Sequence, residues 1–240
     1  VKVCLIGYGK MGRAIERVLT ARHHEVCGRV SSNNRDQLPA CLAEADMAIE
    51  FTRPDSAVEH LGACLRAGVP VVCGTTGWLD RYGEIQQLTD RLGGALLYSS
   101  NFSVGVQLFF ALNRKLAQAM SAHGNYQAEV RETHHIHKRD APSGTALQLT
   151  ADILAIHPSY HKWSDETSPE AGTLPVISSR EGEIVGFHAV RYHSITDEIE
   201  IRHNAHSREG FANGAVLACE YLLNKKGIYT MKDVLQLNDW

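Results

Sequence analysis

The sequence predicts an α/β protein of two domains: a parallel sheet with helices on both faces, then an α+β domain on a mixed sheet. Two patterns predict it. Short apolar runs alternate with helix-like segments through the first hundred residues, whereas beyond Asn101 strand-like runs follow one another with fewer helices between them. Length agrees, since 240 residues suit one large domain or two modest ones at about 150 residues per domain.

Val1–Ile6, Glu25–Val30, Met47–Phe51, Val69–Cys73 and Ala95–Tyr98 are apolar throughout most of their length, as strands covered on both faces are. Between them, Met11, Ala14, Ile15, Val18 and Leu19 recur at helical intervals, as do Val58, Leu61 and Leu65, and Ile85, Leu88 and Leu92. Pro54 suits a first helical turn and Gly68 a helix stop. After Asn101 the spacing predicts a helix from Val104 to about Ala122 with Leu108, Leu112, Leu116 and Met120 in line, a strand over Tyr126–His135 and a helix over Thr145–Ile156. Strands follow at Leu174–Ser179, Glu183–Val190 and Asp197–His203, the last alternating Ile199 and Ile201. The polar stretch His157–Gly172 reads as a long loop of open role. A final helix over Phe211–Asn224 and the tail Met231–Leu237 could pack on either domain.

Composition excludes several classes of function. Hydrophobic residues at 44% are too many for a disordered chain. Lys plus Arg total 24 against 27 for Asp plus Glu, so the basic excess of a nucleic-acid wrapper is missing. The longest nearly apolar stretch, Phe102–Leu112, is broken by Ser103 and Gln107 and falls short of the roughly 20 residues that span a bilayer. Six cysteines without a C-x-x-C pair suit buried thiols in a reducing compartment, and the chain opens on a strand-like run rather than a signal peptide; the expectation is a cytoplasmic protein.

Chemistry concentrates in four segments. Gly7-Tyr8-Gly9-Lys10-Met11-Gly12 links the first strand to the first helix, the context in which glycines let a dinucleotide pyrophosphate approach the backbone and the helix N-terminus. This is the fingerprint of a Rossmann dinucleotide-binding domain. The acidic residue that usually ends the second strand is replaced by Ser31, followed by Ser32 and Arg35. That removes repulsion against a 2′-phosphate, so NADPH is favoured, with NADH also accepted. Gly74-Thr75-Thr76-Gly77 and Ser99-Ser100-Asn101-Phe102-Ser103 end the fourth and fifth strands, where ligands of open α/β sheets bind, and are assigned to the nicotinamide end.

The fourth segment runs from Glu129 to Ala146 and holds His134, His135, His137 and Lys138 before a helix opened by Pro142 and Ser143, with capping-box spacing between Thr145 and Gln148. Free N–H groups at Ser143, Gly144 and Thr145 suit a carboxylate, Lys138 adds a positive charge, and a histidine can give up a proton near neutral pH. Together they describe a site for a small dianionic acid with a proton donor beside it. No metal is expected: His134, His135 and His137 lack the i, i+4 spacing of paired ligands, no cysteine is near, and on a strand His134 would point away from the other two. Cys73 has no base beside it in sequence and reads as a buried strand thiol.

The segment Glu129–Ala146 matches E-[IVA]-x-E-x-H-x-x-x-K-x-D-x-P-S-G-T-A at every fixed position, and on it the chain resembles the dihydrodipicolinate reductase family. Gly-Thr-Thr-Gly at 74–77, Asn-Phe-Ser-Val-Gly-Val at 101–106, Gly-x-Ile-Val-Gly at 182–186 and Phe-Ala-Asn-Gly-Ala-Val at 211–216 extend the likeness in the family's order over nearly the whole chain. The resemblance implies hydride transfer from NAD(P)H to an unsaturated cyclic imine dicarboxylate, then protonation of the enamine carbon, in diaminopimelate and lysine biosynthesis. It implies His134 as proton donor, Lys138 as the group that binds and polarises the substrate, and His135, Gly144 and Thr145 on its carboxylates. The cofactor would lie on Gly7–Gly12, Gly74–Thr76 and Ser99–Phe102. Also implied are a dinucleotide domain (1–103 and 211–240) completed by the C-terminal segment, a substrate and oligomerisation domain (104–210) with the site between them, and a homotetramer built through the second sheet. Two departures stand out: the glycine loop is one residue shorter than the common G-x-x-G-x-x-G, and Ser31 replaces an acid. The alternatives are another Rossmann dehydrogenase, acting on a semialdehyde or amino acid, and a non-catalytic NAD(P) sensor.

Overall fold

A strand covered on both faces cannot alternate polar and apolar residues. In the computed structural model, which describes residues 1–167, 170–207, 209–238 and 240, the central strands of the first unit obey this rule, whereas Glu25–Val30, at the sheet edge, leaves Glu25 and Arg29 exposed. Lys2–Ile6 (β1) leads through the glycine loop to Lys10–Ala21 (α1), then Glu25–Val30 (β2), Leu38–Glu44 (α2), Met47–Glu50 (β3), Pro54–Arg66 (α3), Val71–Cys73 (β4), Tyr82–Leu92 (α4) and Ala95–Tyr98 (β5). Every residue of β3 and β4 is buried, including the carboxyl-bearing Glu50. Pro54 opens α3 at its first turn, and Gly93 ends α4 in the left-handed conformation.

The chain then builds a second unit: Val104–Met120 (α5), Gln127–His134 (β6), Gly144–Ile156 (α6), Lys162–Ser164 (β7), Thr173–Arg180 (β8), Gly186–His193 (β9) and Glu198–Ala205 (β10). Glu209–Leu222 (α7), Gly227–Tyr229 (β11) and Met231–Val234 (α8) follow. Contacts divide the molecule into Val1–Val104 with Glu209–Asp239, and Gly105–Arg208 with Trp240.

In the first unit the strands run in the order β11-β5-β4-β3-β1-β2, all parallel. α1 and α7 pack on one face through Ile15, Leu19, Val216 and Leu222, while α2, α3 and α4 cover the other through Leu42, Leu61, Leu65 and Ile85. The strand order turns back at β1, so the connections after β1 and β3 leave in opposite directions and open a crevice at the carboxyl edge. The short α2 and β11 carry no periodicity long enough to show in the sequence.

The second unit is a mixed sheet in the order β10-β9-β6-β8-β7, with β10, β9 and β6 antiparallel and β6, β8 and β7 parallel. Ala128 and Val130 of β6, Leu174 and Val176 of β8, and Val190 and Tyr192 of β9 meet α5 and α6 in one core. Two expectations are corrected. Leu108 and Leu112 of α5 are exposed, and the buried face is Val106, Phe109, Phe110, Asn113, Ala117 and Met120. An apolar helix has more than one stripe at helical spacing, and contact with the sheet chooses between them. The stretch His157–Gly172 also contains β7, paired in parallel with β8; Ser168 and Pro169 lie outside the described residues.

Candidate active site: a dinucleotide loop and a histidine–lysine cluster

In the first unit, Gly7 follows β1 with φ +98° and donates its N–H to Val30 O at 2.8 Å. A Cβ on Gly7 would lie 1.9 Å from Phe51 O, and one on Gly12 would lie 2.3 Å from Gly7 O. Both positions therefore accept glycine alone, the first for the turn and the second for close helix–strand packing. A Cβ on Gly9 would meet nothing within 4 Å, so space is open in front of the loop. α1 has neither a side-chain cap nor an acidic residue in its first turn, which leaves its N-terminal N–H groups available to an anion.

A cavity of about 500 Å³ opens beside this loop, lined by Gly7, Tyr8, Gly9 and Ser31 and by Arg13, Arg35 and Arg53. No carboxylate is among the described residues that line it. Loop, helix end and cationic wall fit a dinucleotide. Lys10 is exposed at the start of α1, while Met11 packs against the core and has only its backbone to offer a ligand.

Gly74, Thr75, Thr76 and the segment Ser99–Phe102 sit at the carboxyl ends of β4 and β5, outside that cavity. The strand ends are stitched together: Gly74 N–H donates to Glu50 O (2.9 Å), Ser99 N–H to Cys73 O (3.2 Å) and Thr52 N–H to Thr75 Oγ1 (2.7 Å). Thr76 and Ser100 are exposed. Phe102 is buried with its ring 5.6 Å from that of Phe51, so it too presents only backbone. Cys73 is fully buried, donates to Glu50, and burial together with the Glu50 charge pushes its thiol far up.

In the second unit, β6 ends at His134. Period-two alternation places Glu132 and His134 on the same face, turned toward α6. His134 Nδ1 is hydrogen-bonded to Glu132 Oε2. The other oxygen, Oε1, accepts from Arg180 Nη1 at 3.0 Å and from Ser143 N–H at 3.3 Å. His188 lies across from Glu132 on β9, with its ring 5.0 Å from that of His134 and its Nε2 3.0 Å from Ser143 Oγ. Burial pushes His134 below its ordinary value; Glu132 opposes this, while Lys138 and Arg180 add to it. His188 is pushed down to about 3, mostly by burial.

After His134 the chain turns. His135 is half-buried with no hydrogen-bond partner for its Nδ1 among the described residues, and His137 is exposed. Lys138 Nζ is held between the two carboxylate oxygens of Asp140, each at 2.8 Å. Ser143, rather than Thr145, caps α6: its Oγ accepts from Ala146 N–H at 3.2 Å. The capping box expected between Thr145 and Gln148 is therefore not formed, because the helix begins one residue earlier, at Gly144. Gly144 and Thr145 occupy first-turn positions whose N–H groups have no intrahelical acceptor, whereas that of Ser143 is taken by Glu132.

Glu132, His134 and His188 bring one potential metal-ligating atom each to within 4.8 Å of one another, a grouping spread over two strands that the spacing of His134, His135 and His137 did not foretell. Arg180 and His134 already engage both oxygens of its carboxylate.

A parallel sheet crossed by a glycine loop, with a buried carboxylate–imidazole pair and a lysine in the second unit, defines an NAD(P)H-dependent oxidoreductase. Comparison with known proteins narrows the class. Residues 1–102 match the family model described as dihydrodipicolinate reductase, N-terminus, and residues 105–235 match dihydrodipicolinate reductase, C-terminus. The chain is 41% identical to the 4-hydroxy-tetrahydrodipicolinate reductase of Christiangramia forsetii over 98% of both chains. It is 37% identical to that of Ralstonia pickettii, over 84% of this chain and 78% of the relative. Among solved structures it is similar to a dipicolinate-bound dihydrodipicolinate reductase from Paenisporosarcina sp. TG-14 (TM-score 0.76, 22% identity, 96% and 97% of the two chains). An amine dehydrogenase from Mycobacterium smegmatis shares the fold at TM-score 0.64 and 11% identity, over 95% and 94% of the two chains. The chain belongs to the dihydrodipicolinate reductase family.

Sequence reasoning missed Arg13 and Arg53 on the cavity wall, and Glu132, Arg180, His188 and Asp140 around the imidazole and lysine. Glu132 could have been found, since two residues before His134 on a strand means the same face. Arg180 and His188 arrive from other strands, and no local pattern marks them.

Proposed function

We propose that this protein catalyses the NAD(P)H-dependent reduction of dihydrodipicolinate, formed from 4-hydroxy-tetrahydrodipicolinate, to tetrahydrodipicolinate in diaminopimelate and lysine biosynthesis, with His134 as proton donor. The observation that carries the role is the His134–Glu132 pair at the end of β6, with the Lys138 ammonium near enough to shift the imidazole. Bound nicotinamide supplies the hydride. His134 Nε2 supplies the proton to the enamine carbon. Lys138 exchanges Asp140 for a substrate carboxylate or ring nitrogen, and the Gly144 and Thr145 N–H groups and His135 hold the carboxylates. The free protein keeps His134 neutral at pH 7, and the negative charge of the arriving dianion favours protonation of Nε2.

Purified protein is expected to oxidise NAD(P)H only with the freshly made product of dihydrodipicolinate synthase. His134→Ala or Lys138→Ala is expected to lower kcat at least about a hundredfold, the scale of a lost general acid; full activity in both would remove the assigned roles. Faster turnover of an amino acid or semialdehyde would favour a different dehydrogenase.

Arg13, Arg35 and Arg53 around an acid-free cavity support NADPH as the preferred cofactor. Replacing one by Ala is expected to raise KM for NADPH roughly tenfold or more, the effect of a lost charge-assisted hydrogen bond, with KM for NADH nearly unchanged. The face of β6, β8 and β9 turned away from α5 and α6 carries Ile177 and Phe187, and supports assembly of a homotetramer through that sheet, checked by light scattering. Six free thiols suit the cytoplasm.

A further inference from the structure

We propose that Glu132, paired with Arg180, is the positioning residue of this site: it fixes His134 in the Nδ1–H tautomer and leaves Nε2 as the one ring atom that exchanges a proton with substrate. The inference rests on His134 being the proton donor and goes beyond it by naming what makes that imidazole competent.

The geometry carries it. Glu132 has a fully buried side chain, and both carboxylate oxygens are engaged, Oε2 by His134 Nδ1 and Oε1 by Arg180 and the Ser143 N–H. Burial alone would push this carboxyl up. Favourable interactions with Ser178, His134 and Arg180 outweigh it and hold the group below the ordinary glutamate range. An ionised carboxylate only accepts hydrogen bonds, so the shared proton belongs to Nδ1. Nε2 faces the other way, toward β9, where a Cβ at Gly186 would lie 3.0 Å from it; glycine there keeps that edge uncrowded.

Arg180 joins the second reactive group to the first. Its Nη1 binds Glu132 while Nε donates to Lys138 O at 3.4 Å and Nη2 donates to Asp140 O. One guanidinium thus anchors both the carboxylate behind the imidazole and the backbone of the loop that presents Lys138. The charged and titratable groups facing His134 are Glu132 on its own strand, Lys138 on the loop, Arg180 on β8 and His188 on β9. Glu132 is the anion among them. In the reaction step, protonated His134 gives its Nε2 proton to the enamine carbon, the hydride and its electron pair having come from NAD(P)H. The ring is left neutral with Nδ1–H still on Glu132, ready to take a proton from water.

The test combines nitrogen-15 NMR of the histidine rings with kinetics of Glu132→Gln. In wild-type protein above pH 7, the His134 signals are expected to show Nδ1 protonated and Nε2 bare; the reverse tautomer overturns the proposal without any variant. Glu132→Gln is expected to mix the tautomers, lower kcat about a hundredfold or more, leave KM for NADPH within about threefold, and move the kcat pH profile to lower pH, because the negative charge behind the ring is gone. A Glu132→Gln enzyme with the wild-type spectrum, kcat and profile, beside an inactive His134→Ala, overturns the positioning role and leaves the proton-donor role standing. A fully active His134→Ala overturns the proton-donor reading itself, and the tautomer assignment is then scored by the spectrum alone.

Discussion

The two candidate site regions are built from different materials. The first unit's loop is made of backbone: Gly7 and Gly12 are defined by the side chains they exclude, and the helix end offers N–H groups rather than functional groups. The end of β6 is made of side chains, and each of His134, Lys138 and Glu132 is held in place by a neighbour. A backbone site fails by collision. A side-chain site fails by loss of a partner, and so responds to pH.

The sharpest way to break this contrast is to add one carbon to the loop. Gly7→Ala puts a Cβ 1.9 Å from Phe51 O at a positive φ and is expected to cost about 3 kcal/mol or more, seen as a large fall in Tm. Gly9→Ala meets no protein atom and is expected to keep Tm while weakening NADPH binding, because the new methyl fills the space left for phosphate. Equal Tm losses in the two variants would mean that the loop is not organised as described.

At β6 the next largest effect is acid sensitivity. The folded-state value of His188 is depressed to about 3 against 6.5 for the ordinary group. Its contribution to stability is therefore complete above pH 6.5 and is lost as pH falls toward 3, at about 1.4 kcal/mol per pH unit. Urea titrations at pH 7, 6 and 5 are expected to show that slope reduced in His188→Gln relative to wild type; parallel slopes would place His188 in water. The smallest effect is Ser143→Ala. It removes the α6 cap and the partner of His188 Nε2, and is expected to cost about 1 kcal/mol with no change in KM for NADPH.

The glycine loop was legible because its shape is written in consecutive residues: a buried strand, three glycines at fixed spacing and a helix. The same holds for the motif from Glu129 to Ala146, where histidine, lysine and helix start are neighbours in the chain. Less was legible in α5, whose Leu108–Leu112 stripe faces outward while Phe109 and Phe110 are buried. Local periodicity names candidate faces, and only the sheet beneath selects one. Arg13 and Arg53 were invisible as cavity residues because one lies a turn into α1 and the other follows β3, and they meet only around the crevice.

By itself the sequence determined the alternation of strands and helices, the glycine turn, the thiols without partners in C-x-x-C, and the identity of the imidazole and ammonium. These follow from residue type and short-range spacing, which the chain carries into any fold. The tertiary structure alone decided that Arg180 of β8 and His188 of β9 stand beside Glu132 and His134. Register between strands distant in the chain sets that meeting, and the charge and tautomer of a buried imidazole depend on the groups that surround it.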